Sequence, residues 1–255
     1  MALLAWLLAG VVAWAALRTW TGQQLDESAL QEADGVVDVR ALPWLSSALD
    51  VVPIATMLLV GLAILTLLLR TRRPLTAAVV IVVAALSLVS VQLLKLVVLS
   101  KPDLGIQEAT LNSFPSGHAS LAAVAGLVWV LAVPVRARGW VALLGAGITS
   151  AVGTLTVVVG WHRPADVVAA ILITSGWVTI GALLLRSTLG AAPARGPLAL
   201  GITKIGLGLL ALNAATTLGV TQTSGAPMTL VAGVLAITAT ALLAFAGIAA
   251  VARHR

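Results

Sequence analysis

The sequence predicts an all-α fold: a polytopic transmembrane helix bundle with a six-helix core and two extra C-terminal spans. Two observations predict it. Sixty per cent of the residues are apolar and only 9% are charged. The apolar residues also come in runs of about 20, the length at which a helix crosses a bilayer. We therefore expect a multi-pass membrane protein whose first partner is the bilayer itself.

The composition also excludes several classes of function. The chain has no cysteine, so disulfides, thiolate catalysis and zinc-thiolate sites are excluded. The 15 Lys and Arg exceed the 9 Asp and Glu, but they lie in short loops, where they orient the chain, so we expect no nucleic-acid partner. Acidic residues are too sparse in the core to hold a divalent ion, and we expect no metal and no cofactor.

The N-terminal region predicts one span followed by a polar segment. Residues 2–17 are apolar and end at the interfacial pair Arg18 and Trp20. A cleaved signal peptide is the alternative, but no basic residue precedes the apolar run and no small-x-small site follows it. Residues 20–50 hold most of the acidic side chains and predict a solvated loop outside the membrane.

The remaining apolar runs predict seven further spans. Five complete the core, at 51–69, 75–99, 118–133, 140–160 and 165–185. Two more, at about 198–218 and 228–250, follow a Gly- and Pro-containing stretch at 187–197. We therefore divide the chain into a six-span core at 1–186 and a linker with a two-span appendage at 187–255.

The basic turns predict the orientation. With both termini in the cytoplasm, the Arg-containing segments at 70–73, 136–138, 186–195 and 253–255 all lie inside, as the positive-inside rule requires. The loop 100–117 and the junction 161–163 then emerge on the external face.

Three basic residues, Lys95, Lys101 and Arg163, depart from this orientation pattern, which indicates another use for their charge. The alternatives are a snorkelling Lys95 and a headgroup anchor at Lys101.

The stretch 112–120, which reads NSFPSGHAS, indicates an anion pocket. Pro, Ser and Gly form a turn before an apolar run, so we expect Ser116 to cap a helix whose first N–H groups face an anion. His118 stands beside them as a proton donor. The alternative is an ordinary capped loop with an interfacial histidine.

A second histidine, His162, precedes Asp166 by one helical turn, so both side chains share a face. A carboxylate at the edge of an apolar run is costly unless it is paired. Here it can hold the proton on one ring nitrogen and leave the other nitrogen free to attack. An interfacial histidine beside a helix-start aspartate is the alternative.

Segments 95–102, 113–118 and 162–166 are predicted to reach the same external level. Together they would form a basic pocket with two histidines and one carboxylate. Cations and helix-start N–H groups suit a phosphoryl group. One histidine would act as the nucleophile and form a phospho-histidine, while the other would protonate the leaving alkoxide.

These three segments resemble the three-part motif of the type 2 phosphatidic acid phosphatase family, membrane lipid phosphatases of the acid phosphatase and haloperoxidase superfamily. The resemblance covers roughly residues 51–185 and implies a six-helix phosphatase core. It implies that His118 is the general acid, His162 the nucleophile and Asp166 its orienter. It also implies a set of phosphate ligands, namely Lys95, Lys101, Ser116 and Gly117.

Two departures from the family pattern matter. Lys101 stands where the family usually has arginine, and the gap back to Lys95 is one residue shorter. Thr156 occupies the place of an arginine six residues before the third-motif histidine, and a hydroxyl does not replace a guanidinium. We hypothesise that Arg163 supplies the missing charge as a further phosphate ligand.

The resulting expectation is an integral membrane phosphatase that removes phosphate from a lipid phosphate at the outer face. A polyprenyl phosphate or diphosphate is the first substrate expected, with phosphatidate, phosphatidylglycerol phosphate and transfer to another lipid left open. Because of Thr156, a lipid-binding or transport protein without turnover is the second class of hypothesis. A channel would need ionisable residues at mid-membrane depth, and the sequence shows almost none.

Overall fold

The computed structural model describes residues 1–36, 38, 42–106, 112–186, 197–220 and 228–252. Over these ranges the chain forms ten α-helices and no β-strand. The helices are α1 (Ala2–Arg18), α2 (Trp20–Val36), α3 (Trp44–Asp50), α4 (Val52–Thr71), α5 (Pro74–Leu93), α6 (Gly117–Ala132), α7 (Arg138–Val158), α8 (Pro164–Leu184), α9 (Pro197–Val220) and α10 (Met228–Val251). A π-helical turn at Leu94–Val98 extends α5, and a 3-10 turn at Val135–Ala137 precedes α7. The predicted all-α bundle is confirmed.

Five helical segments of the described chain are long and apolar enough to cross a membrane. They are α3 together with α4, α5 together with its π turn, the 3-10 turn together with α7, then α8 alone and α10 alone. A sixth is reached if α1 and α2, bent by 85° at their junction, count as one broken span. Helix α6 and the stretch Leu200–Thr216 are apolar but shorter. The multi-pass prediction is therefore confirmed, with fewer full-length spans than the eight expected.

The acidic segment differs from its prediction. Instead of a solvated loop, the described part of residues 20–50 forms α2 and α3. Helix α2 packs against α1, α8 and α10, and its Asp26 and Glu27 are buried. The prediction of a solvated loop was wrong because these carboxylates find partners within the bundle, described below, and so do not need water.

The centre of the bundle is α6, whose Leu127 and Leu131 are fully buried between α4, α7, α8 and α10. Helix α10 belongs to the same core, because the ring of Phe245 lies against the Cα positions of Gly126 and Gly145. Any side chain at either glycine would meet this ring, so the two glycines let three helices approach closely. The boundary at residue 187 stays a prediction, since 187–196 and the turn 221–227 lie outside the described residues.

Four helix ends meet at one end of the bundle: the C-termini of α1 and of the turn after α5, and the N-termini of α6 and α8. Hydrogen bonds from side chains to backbone carbonyls join these ends. The Gln23 amide donates to the carbonyls of Leu17 and Pro102, both at 3.0 Å. The Asn112 amide donates to the carbonyls of Lys95 and Leu99 at 3.1 and 3.0 Å. We call this the site end of the bundle.

Candidate active site

Asp166, in the first turn of α8, is the centre of a hydrogen-bonded cluster. Its Oδ2 accepts the hydroxyl of Ser113 at 2.6 Å and the backbone N–H of Arg163 at 3.0 Å, and lies 3.2 Å from His162 Nδ1. The carboxylate is 2% exposed. Three partners on one oxygen offset the cost of burying this group.

His162 is held in place on both sides. Its backbone N–H donates to the carbonyl of Thr156 at 3.1 Å, across a turn at Gly160 whose φ of +77° suits glycine. Because a carboxylate only accepts hydrogen bonds, Nδ1 carries the proton in the neutral ring, and Nε2 then keeps its lone pair. The predicted His162–Asp166 pairing is confirmed, and its catalytic use stays a prediction.

The second motif is tied directly to the third. The Ser116 backbone N–H donates to the carbonyl of Asp166 at 3.0 Å, and its side chain caps α6 by accepting from Ala119 N at 3.3 Å. The predicted N-cap is confirmed. The Ser116 side chain is fully buried and engaged in this cap, so the backbone N–H groups of Gly117 and His118 are the groups left for an anion at this helix start.

His118 lies beside the residue that precedes His162. Its ring is 5.3 Å from the Trp161 ring, centroid to centroid, with a 48° tilt between the planes. It lies within electrostatic range of His162 and Lys95. The structure therefore brings the two predicted histidines to one place, from helices that are separate in the chain.

The two lysines of the first motif also reach this cluster. Lys95, on the π turn, and Lys101, in the loop that follows, are half-buried, and both interact with the charge of Asp166. Burial lowers the pKa of Lys101, and the neighbouring Arg163 charge lowers it further, while Glu27 and Asp166 act in the opposite direction. All three predicted segments therefore converge at the site end.

Arg163 has a partner that the sequence did not suggest. Its Nε and Nη2 donate to Glu27 Oε2 at 3.0 and 2.6 Å, and its Nη1 lies 3.5 Å from Ser113 Oγ. Thr156 is fully buried and donates its hydroxyl to the carbonyl of Gly153 at 2.7 Å, so it offers nothing to a phosphate. Phosphate binding by Arg163 stays a prediction.

Three residues near the site were missed by sequence reasoning: Asp26, Glu27 and Ser113. Asp26 accepts the N–H of Ala165 at 3.2 Å, so it satisfies a free donor at the start of α8. A signal was present, because Asp26, Ala29 and Ala33 follow helical spacing and all are buried. The high polarity of residues 20–50 led instead to the prediction of a solvated loop.

A metal site of three or more His, Cys, Asp or Glu side chains does not occur among the described residues. Metal-independent catalysis stays a prediction.

The fold and the site define a class: a polytopic helical membrane protein with a histidine and carboxylate site at one end of its bundle. Residues 97–188 match the model of the PAP2 superfamily. This segment contains Lys101, His118, His162 and Asp166, while Lys95 lies just before it. The resemblance to PAP2-type phosphatases is therefore confirmed over residues 97–188, and the apolar helices indicate a multi-pass membrane protein. Comparison with curated proteins and with solved structures finds no match.

Proposed function

We propose that the protein hydrolyses a lipid phosphate at the outer membrane face, through a phospho-histidine intermediate on His162. The observation that carries the proposal is the contact between His162 Nδ1 and Asp166 Oδ2. It directs the proton to Nδ1 and leaves Nε2 as the nucleophile. The external location follows from the positive-inside orientation expected from the basic turns.

The reaction would take two steps. First, the Nε2 lone pair attacks phosphorus, the bond to the lipid oxygen breaks, and His118 gives that oxygen a proton. Then water attacks the phospho-histidine, His118 takes a proton from that water, and the N–P bond breaks to release phosphate. Lys95, Lys101 and the first N–H groups of α6 would stabilise the charge on the phosphoryl oxygens throughout.

An apolar groove supports a lipid as the substrate. A cavity of about 520 Å³ lies between α1, α5 and α8, within the usual range for small-molecule sites. Its lining includes Leu94 and Phe114, the chain neighbours of Lys95 and Ser113, and extends to Trp6. Trp6 lies roughly 18 Å below the end of α1 at Arg18, at about 1.5 Å per residue, so the groove would hold a hydrocarbon tail below the phosphate.

Two kinds of lipid phosphate are candidate substrates. A polyprenyl phosphate or diphosphate is the first candidate, because an external site suits the recycling of a lipid carrier after its cargo has been transferred. Phosphatidate-type lipids are the next candidate. Transfer of the phosphoryl group to a second lipid, in place of water, would use the same first step.

The test is phosphate release from detergent-solubilised protein on a panel of polyprenyl and glycerolipid phosphates. We expect release by the wild type and loss of at least about a hundredfold in His162→Ala. Quenching during turnover with alkaline detergent should trap phosphate on the wild-type protein in a base-stable form that acid then releases, and not on His162→Ala. Full release by His162→Ala would overturn the proposal.

A lipid-binding protein without turnover is the second candidate, favoured by one observation. The hydroxyl of Thr156, at the place of the family arginine, is bonded within its own helix, so one phosphate ligand is lost. If the protein is such a lipid-binding protein, the wild type should bind labelled lipid phosphate but release no phosphate from any lipid of the panel.

A further inference from the structure

A continuous path of polar contacts leads from α2 to His162. Its residues are Glu27, Arg163, Ser113, Asp166 and His162. The distances along it are 2.6, 3.5, 2.6 and 3.2 Å, so the contact of the guanidinium with Ser113 is the longest. Four of the five residues belong to segments 112–120 and 162–166, whereas Glu27 comes from the N-terminal polar helix.

The charged groups at the two ends of Ser113 fix the direction of its hydrogen bonds. The Asp166 carboxylate only accepts, so the Ser113 hydroxyl and His162 Nδ1 both donate to it. A guanidinium has only donors, so Ser113 accepts from Arg163. The Ser113 oxygen is therefore held between Arg163 and Asp166.

Glu27 keeps the guanidinium where it can do this. The Arg163 side chain is 7% exposed and that of Glu27 6%, so water does little to balance either charge. Both Nε and Nη2 donate to the same Glu27 oxygen, which turns Nη1 toward Ser113. Asp26, next to Glu27, accepts from the backbone of Ala165 in α8, so α2 is fixed against this helix at two adjacent residues.

We infer that Glu27 and Arg163 are positioning residues that hold Ser113 and Asp166 in place and thereby orient the His162 ring. The inference rests on the proposed function for its effect on turnover, but not for the state of the imidazole. It gives Arg163 a role other than direct phosphate binding.

The test uses a neutral pair, Glu27→Gln with Arg163→Gln, and a charge-conserving single variant, Arg163→Lys. The neutral pair leaves no unpaired charge in the buried position, which would otherwise prevent folding. Glutamine is uncharged and shorter than arginine, so it should not hold Ser113 in place, whereas lysine keeps the charge and is a pure donor. Size-exclusion and thermal melting profiles confirm that each variant is folded.

Two readouts separate positioning from phosphate binding. We expect kcat to fall about 10–100-fold in the neutral pair, by analogy with a metal-bound histidine that loses its orienting partner, while the Kd for inorganic phosphate changes less than about twofold. Arg163→Lys should lose less kcat than the neutral pair. Unchanged kcat, or a weaker phosphate affinity that accounts for the whole loss, would overturn the inference.

The imidazole itself gives a readout that does not need activity. The chain has 3 histidines, so ¹⁵N NMR of the labelled protein, with His162→Ala for assignment, can resolve the His162 ring. We expect one set of ring signals, from the Nδ1–H tautomer, in the wild type, and broadened or additional ring signals in the neutral pair. A wild type with a single ordered ring but no phosphate release would reject the proposed function alone, and identical ring signals in both proteins would reject this inference alone.

Discussion

Glu27 and Arg163, 136 residues apart in the chain, form a buried ion pair with 2.6 Å between Oε2 and Nη2. The pair joins the polar helix α2 to the residue that follows His162. Burying two charges costs desolvation energy, so such a pair is weak evidence for added stability. Its position beside the nucleophile indicates that it serves the geometry of the site, and the experiments above address that role.

The role proposed for His118 predicts a dependence on the leaving group. A general acid matters most when the leaving alkoxide is a strong base. We therefore expect His118→Ala to lose about 10²–10⁴-fold in kcat/KM, which reports the first step, on an alkyl lipid phosphate and much less on an aryl phosphate with an acidic phenol. His162→Ala should lose activity on both substrates. Equal losses of His118→Ala on both would contradict the acid role.

Lys101 predicts the alkaline limit of phosphate binding. Because burial and the Arg163 charge lower its pKa, Lys101 loses its proton, and with it its attraction for phosphate, below the ordinary lysine value of about 10.4. Binding is present below this pKa and is lost as pH rises through it. In Lys101→Arg the charge persists to about pH 12 or above, so the alkaline limb should move to higher pH. The measurement is the Kd for phosphate as a function of pH. If the alkaline limb lies at the same pH in Lys101→Arg and in the wild type, Lys101 does not set this limit.

The groove beside Phe114 predicts a selective loss on long-chain substrates. Gly10 lines it, and a Cβ atom placed there meets no neighbouring atom within 4 Å, so the side chain of Gly10→Phe should extend into the groove. We expect kcat/KM on a long-chain lipid phosphate to fall at least about tenfold, or about 1.4 kcal/mol, with little change on a short soluble phosphate ester.

The matched control for the groove is Gly61→Phe on α4. This glycine also has open space around it and does not line the groove. A similar loss in both variants, or a loss on both substrates in Gly10→Phe, would show that the tail lies elsewhere.

The contacts of Glu32 predict that its substitution lowers stability without changing kcat. Its carboxylate accepts the N–H groups of Thr229 and Leu230 at 3.4 and 2.7 Å, so it caps α10 from α2. Glu32→Gln should cost about 1 kcal/mol and lower the Tm followed by tryptophan fluorescence, with kcat retained at low temperature. Asp34→Asn, at an exposed position of the same helix, is the control. Equal Tm values for both variants would show that the cap contributes nothing.

Much of the site was predictable because its signals are local. The Ser116 cap follows from a turn placed before an apolar run, and the His162–Asp166 contact follows from one helical turn of spacing. The contacts of Arg163 with Glu27 and of Asp26 with Ala165 were not predictable in this way. Each joins residues more than 130 positions apart in the chain, and no spacing rule connects such positions.

The sequence by itself determined the helical class, most helix positions and the motifs that carry histidines and lysines, because long apolar runs and turn residues act over a few neighbours. Only the tertiary structure decided that residues 20–36 form a helix, that their acids pack inward, and that α10 belongs to the core. The physical reason is that a buried charge is tolerated only where packing brings an opposite charge or a free backbone donor to it. That meeting is a property of the folded bundle and not of any one segment.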